Sequence, residues 1–81
     1  MPMPTIYQEK GYRFFFYAGD RHEPAHVHVE KGEKDGKVWL EPEVKAKYLN
    51  DFKAQERKEI MRITNENVEL LKTRWYEFFQ Q

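Results

Sequence analysis

The three histidines of this chain, His22, His26 and His28, lie within seven consecutive residues. Residues two apart on a β-strand point to the same face, so His26 and His28 should share one side of a sheet. Imidazole nitrogens ligate divalent metal ions and also exchange protons near neutral pH. The spacing therefore predicts a site on this face, with His22 reaching it from an adjacent loop.

Metal binding is the first chemistry that the segment predicts. Zn²⁺ accepts imidazole and carboxylate ligands, so the three histidines could hold a zinc ion. Glu23 or Glu41 would then be a fourth ligand or a partner that orients the histidines.

Acid–base catalysis is the second chemistry. His26 and His28 could exchange protons with a substrate while Arg13 stabilises an anionic transition state. The structural alternative is that both rings are half-buried sheet residues bonded to the backbone and to Glu41. Because His-x-His is a common pattern, the spacing leaves all these interpretations open.

The alternation of side chains predicts the strands that position the histidines. His26–Glu30 alternates polar and apolar residues, and Lys37–Glu41 follows after a polar turn, Lys31–Gly36. Pairing Glu30 with Lys37 in an antiparallel hairpin separates an apolar face from a polar face, which a slip of one residue would mix. The predicted apolar face holds Val27, Val29, Val38 and Leu40. The polar face, called the histidine face below, holds His26, His28, Glu30, Lys37, Trp39 and Glu41.

An aromatic strand precedes this hairpin. Tyr12–Tyr17 is aromatic at five of its six positions, and Thr5–Tyr7 is a shorter strand candidate. Alternate side chains of the aromatic strand form two sets, and the pattern does not decide which set faces the core. In one assignment Phe14 and Phe16 are core, while Arg13, Phe15 and Tyr17 join the histidine face.

Beyond about residue 52 a 3.6-residue period replaces the two-residue period. Asp51 is the predicted N-cap, and the apolar phase continues to Phe79, which predicts one long or kinked helix. Thr64–Asn67 is its weak point, because these residues are poor helix formers and good caps. Residues 44–50 fit neither pattern. The seam that should cover the apolar face holds Ile60, Ile63, Leu71 and Trp75.

These patterns predict an α+β fold: a small antiparallel sheet of three to four strands with a long or kinked C-terminal helix packed on one face. The 81 residues are the length of one domain, 1–81, with a sheet-forming part at 1–42 and a helical part at 52–79. The absence of cysteine excludes disulfides and thiolate ligands.

Charge and hydropathy narrow the classes of partner. The 14 basic and 14 acidic residues balance and interleave, so net charge does not support nucleic acid as a partner. No apolar run reaches membrane-spanning length, and Met1–Pro4 lacks the layout of a signal peptide. We expect a cytoplasmic protein.

Aromatic residues make up 16% of the chain, more than a core of this size needs. Exposed aromatic clusters and open sheet edges mark interfaces, so we expect a protein partner, either a second copy or another small protein. The surface predicted to bind joins the histidine segment to its strand neighbours. It comprises His22, His26, His28, Arg13, Tyr17, Trp39 and Glu41.

The sequence also resembles the bacterial domain-of-unknown-function family 4160 along nearly its entire length. The resemblance implies no established activity and no agreed catalytic residue. It implies a small protein often encoded beside another, an arrangement similar to a toxin–antitoxin module. The residues that carry it are Met3–Tyr7, Gly11–Tyr17, His22–Val29, Trp39–Pro42 and the spacing of Leu71 to Trp75.

Two functions follow from these observations. The first is a protein-binding module, one member of a toxin–antitoxin-like pair. The second is an RNA-cleaving enzyme that uses the face of His26 and His28, either with a metal ion or by histidine acid–base chemistry.

Overall fold

The computed structural model describes residues 5–79. The prediction that Met1–Pro4 lacks the layout of a signal peptide concerns residues outside this range. Five strands form one antiparallel sheet in the order of the chain. Two helices follow, and none within residues 5–79 is long and apolar enough to cross a membrane. The elements are β1 (Tyr7–Glu9), β2 (Tyr12–Phe15), a 3₁₀ turn (Ala18–His22), β3 (His26–Lys31), β4 (Lys34–Trp39), β5 (Lys45–Asn50), α1 (Ala54–Glu66) and α2 (Val68–Phe79).

The hairpin between β3 and β4 is tighter than the sequence predicts. Gly32 has φ of +62°, which lets a two-residue turn replace the predicted turn of six residues. The predicted register is therefore wrong by two residues: His26 pairs with Trp39, and His28 pairs with Lys37. Because the error is an even number of residues, every side chain keeps its predicted face.

A fifth strand, β5, occupies the segment that fits no sequence pattern, so the predicted count of three to four strands is too low. Its pairing with β4 shifts between Lys37 and Val38, where Ala46 and Tyr48 pair with consecutive residues of β4. The extra residue is a β-bulge, which breaks the alternation that a strand would otherwise show in its sequence. The sheet therefore continues past residue 42 to Asn50.

The core lies between one face of the sheet and the two helices. Val27, Val29 and Val38 are buried there with Leu40, as predicted, and Phe14 and Phe16 are the inward set of the aromatic strand. The predicted helix seam joins the same cluster, since Ile60, Ile63, Leu71 and Trp75 are all buried in it. Burial of these side chains is the main driving force for folding. The chain has no cysteine, so no disulfide adds to it.

The helical part is kinked at Asn67, within the predicted weak point. Thr64 Oγ1, Asn65 Nδ2 and Asn67 Nδ2 each donate to the carbonyl four residues earlier, at 2.7, 2.8 and 2.8 Å. Such side-chain bonds compete with the helix backbone and bend it. The backbone N–H of Asn67 still reaches Ile63 O at 3.1 Å, so α2 continues directly from α1.

The predicted N-cap is wrong. Asp51 lies in the preceding turn with φ of +65°, and Lys53 is the N-cap residue. Glu56 Oε1 accepts the backbone N–H of Lys53 at 2.9 Å, which satisfies a donor at the start of the helix. A lysine cannot cap with its own side chain, so the glutamate three residues later supplies the acceptor.

Candidate metal centre on the histidine face

The 3₁₀ turn Ala18–His22 lies over the histidine face and carries Asp20 into it. The turn closes through the backbone N–H of Asp20, which donates to Tyr17 O at 3.0 Å. The carboxylate is fixed in return, since its Oδ2 accepts the backbone N–H of Tyr17 at 2.8 Å. Asp20 is 8% exposed, so the turn places a carboxylate in a largely buried position.

One oxygen of this carboxylate meets both strand histidines. Asp20 Oδ2 lies 3.0 Å from His28 Nε2 and 3.2 Å from His26 Nε2. The three residues each offer a ligand atom, and these atoms all lie within 4.8 Å of one another. Asp20, His26 and His28 are called the Asp–His–His cluster below.

His26 is the most constrained member of the cluster. Its side chain is fully buried, and its Nδ1 lies 2.8 Å from Pro24 O. A carbonyl oxygen only accepts, so Nδ1 carries a proton, and in the neutral form of the ring Nε2 holds a lone pair. That lone pair faces the Asp20 carboxylate, an acceptor, and Nε2 makes no hydrogen bond.

The 3.2 Å contact between His26 and Asp20 is therefore not a hydrogen bond, although it is short enough for an ion pair. Among buried side-chain nitrogens and oxygens of residues 5–79, His26 Nε2 alone is without a hydrogen-bond partner. An unpaired buried polar atom costs about 1–3 kcal/mol. A cation placed between the lone pair and the carboxylate removes that cost.

His28 lies closer to solvent, between aromatic rings. Its ring stacks on Phe15 with centroids 5.6 Å apart, and the edge of Tyr17 approaches it at 4.6 Å. Burial lowers the pKa of His28 below its ordinary value, although the Asp20 carboxylate opposes the shift. The imidazole is then largely neutral at neutral pH, with Nε2 donating to Asp20 Oδ2, and a metal ion bound at Nε2 would take the place of that proton.

The two separations that involve Asp20 fit a metal site. Zn²⁺ lies about 2.0–2.2 Å from imidazole nitrogens and carboxylate oxygens, so neighbouring ligand atoms of a tetrahedral ion are about 3.4 Å apart. The separations of 3.0 and 3.2 Å from Asp20 Oδ2 are close to that value. The bond from Pro24 O also orients His26 as carbonyl oxygens commonly orient ligating histidines.

The structure places the other predicted residues around the cluster. His22 is exposed at the end of the 3₁₀ turn and is outside the cluster. Arg13 Nη1 bonds Glu30 Oε1 at 2.6 Å, and its guanidinium lies 4.3 Å from the Phe15 ring. Arg13, which was predicted to stabilise an anionic transition state, is thus held on a neighbouring part of the histidine face.

Glu41 is also directed elsewhere, because it accepts a hydrogen bond from the Tyr76 hydroxyl of α2. Trp39 presents its ring edge-on to His26, with centroids 5.4 Å apart. His26 touches the core as well, since its ring lies 4.8 Å from the Trp75 ring. The predicted separation of the histidines from the core holds for His28 and fails for His26.

The sequence pattern does not predict Asp20 as a residue of this site. In the structure it belongs to the 3₁₀ turn and also contacts both strand histidines. Its signal in the sequence is a carboxylate six residues before His26, in the loop that leads into the histidine strand. Only the fold of that loop back over the strand reveals the second role.

The fold and the cluster together define a small α+β protein with a buried Asp–His–His cluster on one face of a five-stranded meander. A family model described as Domain of unknown function (DUF4160) matches residues 11–76, and the chain belongs to this family. Neither the curated proteins nor the solved structures gave a match. The family description assigns no activity, and the Asp–His–His cluster is the feature of the chain that points to a function.

Proposed function

We propose that this chain is a divalent-metal-binding protein and that the Asp–His–His cluster holds the ion. The observation that carries the proposal is the buried Nε2 of His26, which faces the Asp20 carboxylate at 3.2 Å without a hydrogen bond. Two imidazoles and a carboxylate suit zinc and other first-row transition metals better than magnesium or calcium.

Three protein ligands distinguish this site from a structural zinc site. Structural sites are closed by four protein ligands, whereas catalytic sites have three and leave a position for water or substrate. The proposed site is therefore reactive, in keeping with the metal-dependent alternative that the histidine pattern predicts. A water on the ion would ionise more readily than bulk water.

Zinc titration of the metal-free protein tests the proposal. We expect submillimolar affinity by calorimetry and, with Co²⁺, visible absorption typical of a tetrahedral site. Asp20→Asn and His28→Gln should each weaken zinc binding about tenfold or more. His22→Ala is the matched control, because His22 is exposed and outside the cluster.

Two results would contradict the proposal: wild-type affinity weaker than millimolar, or a loss in His22→Ala as large as that in Asp20→Asn. Circular dichroism of each variant separates loss of the site from loss of the fold.

Protein binding is the second candidate, in the form of the toxin–antitoxin-like pair that the family resemblance implies. It is favoured by five large hydrophobic side chains that are exposed within the described residues 5–79. The free edge of β5 does not favour it, because exposed Lys45 and Lys47 and the bulge discourage strand addition. Light scattering at micromolar concentration would show self-association. The exposed side chains are Tyr17, Tyr48, Leu70, Tyr76 and Phe78.

A further inference from the structure

A hollow of about 270 Å³ opens to solvent beside the Asp–His–His cluster. Its apolar walls are the indole of Trp39 and the rings of two prolines, which are flat surfaces that suit a planar group. Carboxylates and one ammonium stand among its lining residues. The residues that line it are Pro24, Trp39, Glu41, Pro42, Glu43 and Lys45.

The hollow and the cluster share His26 as a common neighbour. The carbonyl of Pro24, a wall residue, accepts from His26 Nδ1 at 2.8 Å. The ring of Trp39, another residue of the lining, lies 5.4 Å from the ring of His26. The buried imidazole thus lies behind two residues that line the hollow and presents its other nitrogen to Asp20. The hollow and the cluster are therefore neighbours on the histidine face.

Lys37 stands at the junction of the two. Its ammonium lies 4.6 Å from the centroid of the Trp39 ring, and its backbone pairs directly with His28. It forms an ion pair with Glu23, whose Oε1 lies 4.0 Å from His26 Nδ1. The lysine side chain is 12% exposed, whereas that of Glu23 is 45% exposed.

This difference in burial makes the lysine the fixed member of the pair. A ligand oxyanion can take the place of the Glu23 carboxylate, because an exposed side chain moves into solvent at little cost. Lysine is a common phosphate-binding group, and a bound divalent ion with an open position binds phosphoryl oxygens as a Lewis acid.

We propose that the site binds a phosphate ester carrying a flat ring, with the phosphate between Lys37 and the metal ion and the ring in the hollow against Trp39. The inference rests on the proposed function, since the phosphate needs the ion as its second cationic partner. The carboxylates of Glu41 and Glu43 outnumber the single ammonium of Lys45 at the hollow and disfavour a second anionic group, so the ligand has one charged end and one flat, uncharged end.

Calorimetry on the protein loaded with one equivalent of zinc tests the inference, with phenyl phosphate, inorganic phosphate and a nucleoside monophosphate as probes. We expect phenyl phosphate to bind about tenfold more tightly than inorganic phosphate, because its ring buries apolar surface on Trp39. The nucleoside monophosphate shows whether a ring attached through a sugar is also accepted; binding no tighter than inorganic phosphate would restrict the class to esters with the ring directly attached.

Two variants test separately the contacts made by the phosphate and by the ring of the ligand. Lys37→Met should weaken binding of both phenyl phosphate and inorganic phosphate about tenfold, the value of one charge-assisted hydrogen bond. Trp39→Leu should weaken phenyl phosphate alone. Lys47→Met is the matched control, because Lys47 is an exposed lysine on β5 that does not line the hollow.

The outcomes distinguish this inference from the proposed function. If zinc binds but phenyl phosphate binds no more tightly than inorganic phosphate, or Lys37→Met binds both as the wild type does, the ligand inference is wrong and the metal site stands. If zinc does not bind, both are wrong. Zinc affinity and circular dichroism of each variant are measured first, so that a disrupted fold is not mistaken for a lost ligand contact.

Discussion

The two faces of one sheet in this protein are built for different purposes. The face toward the helices is filled with aliphatic and aromatic side chains that are almost entirely buried. The histidine face is covered at its centre by a single 3₁₀ turn and keeps an aspartate and two histidines in contact, with one buried nitrogen unpaired. The first face lowers the free energy of the fold, and the second gives up some stability to preorganise a charged site. Such exceptions to local stability rules cluster at functional sites.

Trp75 contacts residues of both faces, and its replacement should give the largest change in stability. Its ring lies 5.1 Å from Phe16 in the core and 4.8 Å from His26. Trp75→Ala should cost about 3–5 kcal/mol of unfolding free energy, enough to unfold a marginal domain. Phe78→Ala is the control, because Phe78 is 36% exposed. Thermal melts that differ by only a degree or two from the wild type would show that Trp75 is not a core residue.

Zinc should stabilise the protein through the histidine face alone. An ion that binds only the folded state adds about 2.7 kcal/mol when its free concentration is about 100 times Kd. Urea titrations with and without zinc should show this gain in the wild type and lose it in Asp20→Asn. An equal gain in that variant would mean that the ion binds elsewhere.

Tyr12 tests the contact between sheet and helix on the core face. Its hydroxyl donates to Glu59 Oε1 of α1 at 2.9 Å, and burial together with this bond raises its pKa to about 12. A raised pKa means that the contribution to stability is complete below the ordinary tyrosine value of about 10 and is lost as pH rises toward the folded-state value. Tyr12→Phe should cost about 1 kcal/mol at neutral pH.

The alkaline part of the curve distinguishes this effect from simple loss of a contact. Between pH 10 and 12, the unfolding free energy of the wild type should fall more steeply than that of Tyr12→Phe. Urea denaturation at each pH measures both. Parallel curves would show that Tyr12 does not titrate with unfolding.

Glu56 gives the smallest expected effect and lies at the start of α1. The backbone N–H of Lys53, and then the Lys34 ammonium, lower its pKa. A lowered pKa contributes stability that is present above the unfolded-state value and is lost as pH falls through the folded-state value. Glu56→Gln should therefore flatten the acid limb of the stability curve below about pH 4.3. The exposed Glu69, also in a first helical turn, is the control, and Glu69→Gln shows how much of the change comes from removing a surface charge alone.

Local sequence patterns were sufficient for the faces of the sheet and insufficient for its register. Alternation in β3 and β4 assigned each side chain to the correct face, because the side-chain period of two is a property of the strand itself. The register depended on the turn at Gly32, where a difference of two residues leaves the alternation unchanged. β5 was missed for a similar reason, since its bulge interrupts the period.

For the candidate site, the sequence by itself determined that His26 and His28 share a face and that the chain offers no thiolate, because strand geometry and composition settle both. The tertiary structure decided that Asp20 rather than His22 completes the cluster. That choice depends on how the 3₁₀ turn folds back over β3 and on the hydrogen bond that fixes its carboxylate to Tyr17. A contact between a loop and a strand has no sequence period, and its energy arises only once both segments are in place.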